Sequence, residues 1–189
     1  MTPFTTLTAR AARLDRANVD TDQIIPARFL RKPRSAGYGT FLFHDLPEVR
    51  HAVLGAGILL AGPNFGCGSS REGAVYALVD AGVRCVVAPG FGDIFAGNAA
   101  QNGLLMVVLP AGAIAALHGM VTVDLPAQRI QVGAESLAFE IDPFRKRCLV
   151  EGLDDIGLTL AYAAAIETWT AADAAQRPWA TPHSGGTGP

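Results

Sequence analysis

The chain has 189 residues, of which 50% are hydrophobic, and 15 basic against 17 acidic residues leave a formal net charge of −2. This length and composition suffice for one substantial core, so we expect a single compact domain, and the balanced charge without a basic stripe argues against nucleic-acid binding. Because the longest apolar runs are too short to span a membrane and Met1–Arg10 lacks the apolar core of a signal peptide, we expect a cytoplasmic protein that does not bind membranes.

The first predicted element is a strand over Leu7–Leu14, followed by the turn-rich segment Asn18–Asp22. The irregular stretch Arg31–Thr40, with its proline and glycines, is predicted to be a mobile loop. Beyond it, continuous apolar runs alternate with helical stretches, which is typical of β-α-β units with a parallel sheet covered on both faces. These elements are strand Gly57–Ala61, helix Ser69–Ala81, strand Arg84–Ala88, helix Gly92–Gln101 and strand Leu104–Leu109.

The last third of the chain predicts short antiparallel strands and then helices. The strands are Val121–Asp124, Arg129–Val132 and Leu137–Ile141, and the helices are Pro143–Glu151 and Asp155–Ala172. Thr181–Pro189 is polar and glycine-rich and is expected to be disordered. We therefore predict a folded domain over residues 1–172 and a flexible C-terminal tail over residues 173–189.

The glycine-rich segment Gly62–Ala81 places two serines directly ahead of Arg71 and an apolar helix. Its glycine spacing does not match a dinucleotide-binding fingerprint, and it lacks the lysine of a P-loop and the flanking glycines of a nucleophile elbow. Two interpretations remain. Ser69 to Glu72 can form a capping box, or the loop can bind an anion and present a usable hydroxyl. Its position after a parallel strand, and the arginine, favour the anion site.

Metal binding by this chain has little support. Cys67, Cys85 and Cys148 are widely separated and odd in number, which fits reduced thiols, and one cysteine cannot hold a cubane cluster. Cys67 is interpreted as a small buried residue. Asp20 and Asp22 could bind a hard cation or form an Asx turn, and we expect the turn.

Several ordered motifs resemble the small subunit of 3-isopropylmalate dehydratase, and the similarity extends to about Thr170. They are Asn18–Pro26 (NVDTDQIIP), Asn64–Glu72 (NFGCGSSRE), Phe91–Phe95 (FGDIF), Asp142–Arg145 (DPFR) and Gly152–Leu160 (GLDDIGLTL). The resemblance implies the swivelling domain of aconitase type, an α/β fold of three layers in the order β/β/α with a mostly parallel central sheet. It also implies one half of a two-subunit hydro-lyase that isomerises 2-isopropylmalate and 3-isopropylmalate in leucine biosynthesis.

In such a hydro-lyase the [4Fe–4S] cluster belongs to the partner large subunit, and this chain binds no cofactor. The resemblance further implies roles for individual residues. Ser69 acts as an alkoxide base, Asp22 is a second catalytic residue, and Ser70, Arg71 and Arg34 bind the dicarboxylate substrate.

The sequence departs from the family pattern at Gly73, where most small subunits have histidine, and in the segment between Phe43 and Gly57, which is shorter than usual. Two alternatives therefore stay open. The first is a related hydratase acting on methylmalate/citraconate or 2,3-dimethylmalate. The second is a non-catalytic carboxylate-binding module of the same fold.

Overall fold

The computed structural model of the chain describes residues 1–69 and 71–180, and its strands form one seven-stranded sheet. The strands are β1 Thr6–Leu14, β2 Ile58–Ala61, β3 Cys85–Ala88, β4 Leu105–Val108, β5 Met120–Asp124, β6 Arg129–Val132 and β7 Glu135–Ala138. Their order across the sheet is β4-β3-β2-β1-β5-β6-β7. Strands β1 to β4 pair in parallel, whereas β5 pairs antiparallel with β1, and β6 and β7 continue the antiparallel pairing. The type of pairing therefore changes from parallel to antiparallel at β1.

Among the described residues, six α-helices belong to a first compact unit, Met1–Asp154, and two to a second that begins at Asp155. The first six are α1 Thr21–Ile24, α2 Pro47–Val53, α3 Glu72–Asp80, α4 Asp93–Gln101, α5 Ala111–Ala116 and α6 Pro143–Glu151. The second unit contains α7 Asp155–Leu160 and α8 Ala163–Gln176. None of the helices in the described ranges is long and apolar enough to cross a membrane.

The side chains of the central strands alternate between two hydrophobic cores. Leu59 of β2 packs in the core that contains Leu78 of α3 and the other helices on that face. Its neighbour Ile58 packs in the second core, together with Val121 of the antiparallel strand β5. Because successive strand residues point to opposite faces, the parallel strands form a middle layer between helices and the folded-over antiparallel strands. The expected β/β/α order is confirmed.

The structure differs from the sequence-based expectation mainly between the strands. Arg31–Thr40, which was predicted to be a mobile loop, overlaps three short 3₁₀ turns, Ala27–Arg31, Arg34–Ala36 and Tyr38–Phe41. The short helices α1, α2 and α5 were not expected. The predicted helix from Asp155 is two helices, and α8 continues past residue 172 to Gln176. Two compact units divide after Asp154.

Thr181–Pro189 lies outside the described residues, so the flexible tail over residues 173–189 stays a prediction, as does the extent of the aconitase-type domain.

We expect Leu105→Ala and Val108→Ala, two truncations on β4, to have very different effects. Leu105 is completely buried, whereas Val108 is 56% exposed. Loss of the buried side chain should lower the free energy of unfolding by about 2–5 kcal/mol, because it leaves a cavity. The exposed position should lose less than about 1 kcal/mol. Urea denaturation of the two purified variants measures both values, and equal losses would contradict the placement of β4.

Candidate active site

The candidate site is built from the loops that follow β1, β2 and β3. Parallel strands end at the same edge of a sheet, where open α/β folds bind ligands. The first two loops are joined by backbone hydrogen bonds, because Gly66 donates its N–H to the carbonyl of Val19 at 2.8 Å and Thr21 donates to Cys67 at 3.1 Å. Asp20 and Cys67 form an isolated parallel bridge at this point. The two loops therefore continue the strand pairing beyond the sheet.

The third loop is attached to the second in the same way. Phe65 donates its N–H to the carbonyl of Gly90 at 3.1 Å, and its own carbonyl accepts from Gly92 at 2.9 Å. Helix α4 starts directly afterwards at Asp93. All three loops thus form one hydrogen-bonded unit with little freedom to move separately.

Position 66 requires a glycine, because of both the backbone conformation and the atoms around it. Its φ of +75° lies in the left-handed region, and a Cβ atom at this position would lie 2.3 Å from the ring of Phe95. That ring is buried and meets Phe65 edge-on, with centroids 5.6 Å apart. Only glycine allows the loop to lie directly on this aromatic pair.

The three loops bring Asp22 and Arg71 together. Asp20 and Cys67, which form the bridge, lie in the first and second loops. Asp22 comes two residues after Asp20, and Arg71 comes four residues after Cys67, immediately before α3. Asp22 Oδ1 lies 3.3 Å from Arg71 Nε, and both side chains are partly exposed. Arg71 Nε is buried without a hydrogen-bond partner, so the contact is an ion pair without good hydrogen-bond alignment. This pair joins two residues that the sequence predicted for the site.

Asp20 acts as a helix cap. Its carboxylate accepts the N–H of Gln23 at 2.7 Å, and the Gln23 side chain in turn accepts the N–H of Asp20 at 3.2 Å. This reciprocal arrangement is a capping box at the start of α1, consistent with the expected turn. Within residues 1–69 and 71–180, no three His, Cys, Asp or Glu side chains are grouped as a metal site would require.

Ser69 is exposed at the surface of the loop and does not cap α3. The helix begins at Glu72, and its N-cap residue is Arg71. The alternative of a capping box from Ser69 to Glu72 is therefore wrong. The Glu72 carboxylate instead accepts a hydrogen bond from Asn102 Nδ2 at 3.0 Å. Ser70 lies outside the described residues.

Arg34 lies against α3 and contacts neither member of the Asp22–Arg71 pair directly. Its guanidinium carbon is 3.7 Å from the ring centroid of Tyr76, and its Nη2 is 3.7 Å from Asp80 Oδ1. Tyr76 is one turn beyond Glu72, so Arg34 reaches the same helix whose start carries Arg71. The contacts of Tyr76 and Asp80 with Arg34 were not predicted from sequence, although Glu72, Tyr76 and Asp80 have the i, i+4, i+8 spacing of one helix face.

Gly73 allows the segment with the 3₁₀ turns to pack on the first turn of α3. A Cβ atom at residue 73 would lie 2.4 Å from Leu30 Cδ2 and 3.3 Å from Tyr38 Cε2. The space that a histidine would need is therefore occupied by Leu30. The glycine that replaces the usual histidine at residue 73 therefore goes together with close packing of Leu30 at this position.

The three cysteines differ in their exposure to solvent. Cys85 and Cys148 are buried, whereas Cys67 is partly exposed in the loop and is not the buried residue expected. Burial raises the pKa of the Cys85 thiol well above its usual range. A cubane cluster needs several thiolates at one place, and these three cysteines form no such ligand group in the part of the chain that the structure describes.

The chain is similar to proteins of known family. A family model described as the aconitase C-terminal domain matches residues 46–112, and a model of the C-terminal domain of the 3-isopropylmalate dehydratase small subunit matches residues 155–182. A 3-isopropylmalate dehydratase small subunit from Magnetococcus marinus is 46% identical, over 95% of this chain and 99% of that protein. The chain belongs to the 3-isopropylmalate dehydratase small-subunit family.

Other small subunits of the family are equally similar. One from Gluconacetobacter diazotrophicus is 47% identical, over 96% of this chain and 98% of its own length. The crystal structure of a 3-isopropylmalate dehydratase from Methanocaldococcus jannaschii has a TM-score of 0.70 at 27% identity, covering 87% of this chain and 99% of that one. The resemblance seen in the sequence motifs, and the aconitase-type fold that it implied, are confirmed.

We expect Gly66→Ala to destabilise the protein by more than about 1 kcal/mol, because alanine is strained at this positive φ and its methyl group would overlap the Phe95 ring. Gly97→Ala is the matched control. Gly97 lies inside α4 with no heavy atom within 4 Å of an added Cβ, so alanine should stabilise by up to about 1 kcal/mol. Chemical denaturation of both variants gives the difference, and a neutral Gly66→Ala would contradict the tight loop packing.

Proposed function

We propose that this chain is the small subunit of a two-subunit hydro-lyase that interconverts 2-isopropylmalate and 3-isopropylmalate by dehydration and rehydration, a reaction of leucine biosynthesis. Family membership supports the reaction class. The observation that carries the proposal in this chain is the Asp22–Arg71 pair at the edge formed by three joined loops, with exposed Ser69 two residues before Arg71 in the chain. This arrangement contains an acceptor for a proton and a cation for a carboxylate, as the reaction requires.

Ser69 is proposed as the base that removes the proton α to a carboxylate. A serine hydroxyl is far too weak an acid to ionise unaided, so its alkoxide depends on nearby positive charge and hydrogen-bond donors. Arg71 provides the charge two residues away in the chain. The rigid backbone pairing of the glycine-rich loop limits the reorganisation needed when charge develops on Ser69.

Arg71 is proposed to bind a substrate carboxylate, together with Ser70. Asp22 faces the Nε side of the guanidinium, and the ion pair fixes the direction of the side chain. The two terminal nitrogens can then receive a carboxylate in the bidentate manner that arginine favours. Asp22 thus orients Arg71 and partly balances its charge. Arg34, in the 3₁₀ segment that lies against α3, is also proposed to bind the substrate.

The [4Fe–4S] cluster is proposed to come from the partner large subunit, because the cysteines of this chain do not form a ligand set in the described residues. When bound, such a cluster supplies a Lewis acid that assists loss of the substrate hydroxyl. The partner would cover the exposed loop edge, where Ser69, Asp22 and Arg71 are open to solvent. The substrate is proposed to be a small dicarboxylate enclosed between the two subunits.

Ser69→Ala should abolish most turnover without preventing assembly. In the pair reconstituted with its native large subunit and an intact cluster, we expect kcat to fall about 10²–10⁴-fold, the contribution of a general base. Ser136→Ala, an exposed serine on β7 at the far edge of the sheet, is the matched control and should keep normal turnover. Near-normal activity of assembled Ser69→Ala would exclude Ser69 as the base. Parallel assays with citraconate and dimethylmaleate distinguish the alternative substrates.

Cys67 should report where the partner docks. In the isolated chain we expect iodoacetamide at mild alkaline pH to modify partly exposed Cys67, whereas Cys85 and Cys148 should react only after unfolding. For Cys85 the raised pKa further lowers the thiolate fraction. Binding of the large subunit should slow Cys67 labelling, as measured by mass spectrometry. An unchanged rate in the assembled pair would place the partner elsewhere.

A further inference from the structure

The segment that carries Arg34 is fixed along the length of α3. Asp80 Oδ2 accepts the N–H of Tyr38 at 3.1 Å, and the Tyr38 hydroxyl donates to the carbonyl of Lys32 at 2.9 Å. Gly39 approaches the end of the helix so closely that an added Cβ would lie 2.7 Å from Ala81 N. The backbone on either side of Arg34 is therefore held in place before any ligand binds.

The contacts of Arg34 orient its guanidinium while leaving hydrogen-bonding capacity. The guanidinium carbon lies 3.7 Å from the centroid of the Tyr76 ring, a distance that brings the two groups into direct cation–π contact. Such contact engages the π system, whereas the five N–H donors lie at the edges of the guanidinium plane. Asp80 Oδ1 is 3.7 Å from Nη2, too far for a hydrogen bond, and the Arg34 side chain is 50% exposed. Arg34 is thus ordered without being fully engaged.

Tyr76 is itself held by its neighbours. Its ring meets that of Tyr38 with centroids 6.1 Å apart. Burial, followed by a side-chain hydrogen bond with Glu72, raises the pKa of the Tyr76 phenol. Glu72 is the residue after Arg71, and a continuous set of contacts therefore runs from the start of α3 through Tyr76 to Arg34.

We infer that Tyr76 is a positioning residue, which together with Asp80 presents the guanidinium of Arg34 to a carboxylate of the substrate. This inference rests on the proposed function, because it assumes that Arg34 contacts the substrate. It assigns to α3 a second role in addition to carrying Arg71. Tyr76 acts through Arg34 and does not touch the reacting atoms.

The test compares Tyr76→Leu with Tyr76→Phe in the pair reconstituted with its native large subunit. Tyr76→Leu removes the aromatic face and should raise KM about threefold to tenfold with kcat little changed, as expected when binding alone is weakened. Tyr76→Phe keeps the ring and should change KM much less. In an Arg34→Ala background, Tyr76→Leu should have no further effect on KM, whereas a purely structural role would still add its own effect.

Asp80→Asn provides a second, milder variant, because it retains an acceptor for the Tyr38 N–H and removes the charge near Arg34. It should also raise KM, and this effect too should vanish in the Arg34→Ala background. Unchanged KM in Tyr76→Leu and Asp80→Asn, additive effects with Arg34→Ala, or a lowered KM would each overturn the inference. An inactive wild-type pair would instead remove the proposed function, and with it the assumption made here.

Discussion

The backbone pairing of the three loops is the constraint on which the candidate site depends. Loops at a sheet edge usually have exposed N–H and C=O groups that water can satisfy, which leaves them mobile. Here Gly66 and Cys67 pair with the first loop, and Phe65 pairs with the third. The strands are in effect extended by a few residues beyond the sheet. Side chains that follow these residues are therefore fixed relative to one another, although they are far apart in the chain.

The same constraint explains the distribution of charge at the site. Asp22 and Arg71 are each placed by a short piece of backbone, and their ion pair joins the two pieces. A pair with this exposure contributes little to stability, typically less than about 1 kcal/mol. The pair instead affects orientation, because Asp22 holds the Arg71 guanidinium at its Nε edge. Stability comes instead from the two cores on either side of the parallel strands.

The sequence predicted the parts of the fold that local patterns determine. The apolar runs of β2, β3 and β4 and the helix Pro143–Glu151 were recognised because burial on both faces, or a proline at the first helical turn, leaves a clear signal. The start of α3 was misplaced for a physical reason. Serine followed by glutamate has the pattern of a capping box, but backbone pairing at Cys67 holds the preceding residues outside the helix. A local pattern cannot reveal such a competing long-range contact.

The candidate site residues were predicted from their motifs, and two of them, Asp22 and Arg71, lie together in the structure. The placement of Arg34 could not be predicted, because it depends on Tyr76 and Asp80, more than 40 residues away in the chain. The same holds for Leu30, which packs at Gly73. Residues that are distinguished only by a contact with a distant neighbour carry no motif of their own. They become visible when the segment is seen lying on α3.

The central position of β1 has a consequence for how the protein is made. It pairs with β2 about 45 residues later and with β5, where Thr8 and Thr122 hydroxyls meet at 2.8 Å across a separation of 114 residues. Such non-local pairing slows folding, since a long loop must close before the contacts form. During synthesis, β1 leaves the ribosome early. One of its edges stays unpaired until β2 follows, and the other stays unpaired until β5 follows. The nascent chain is thus exposed to aggregation until β5, at residues 120–124, has been translated.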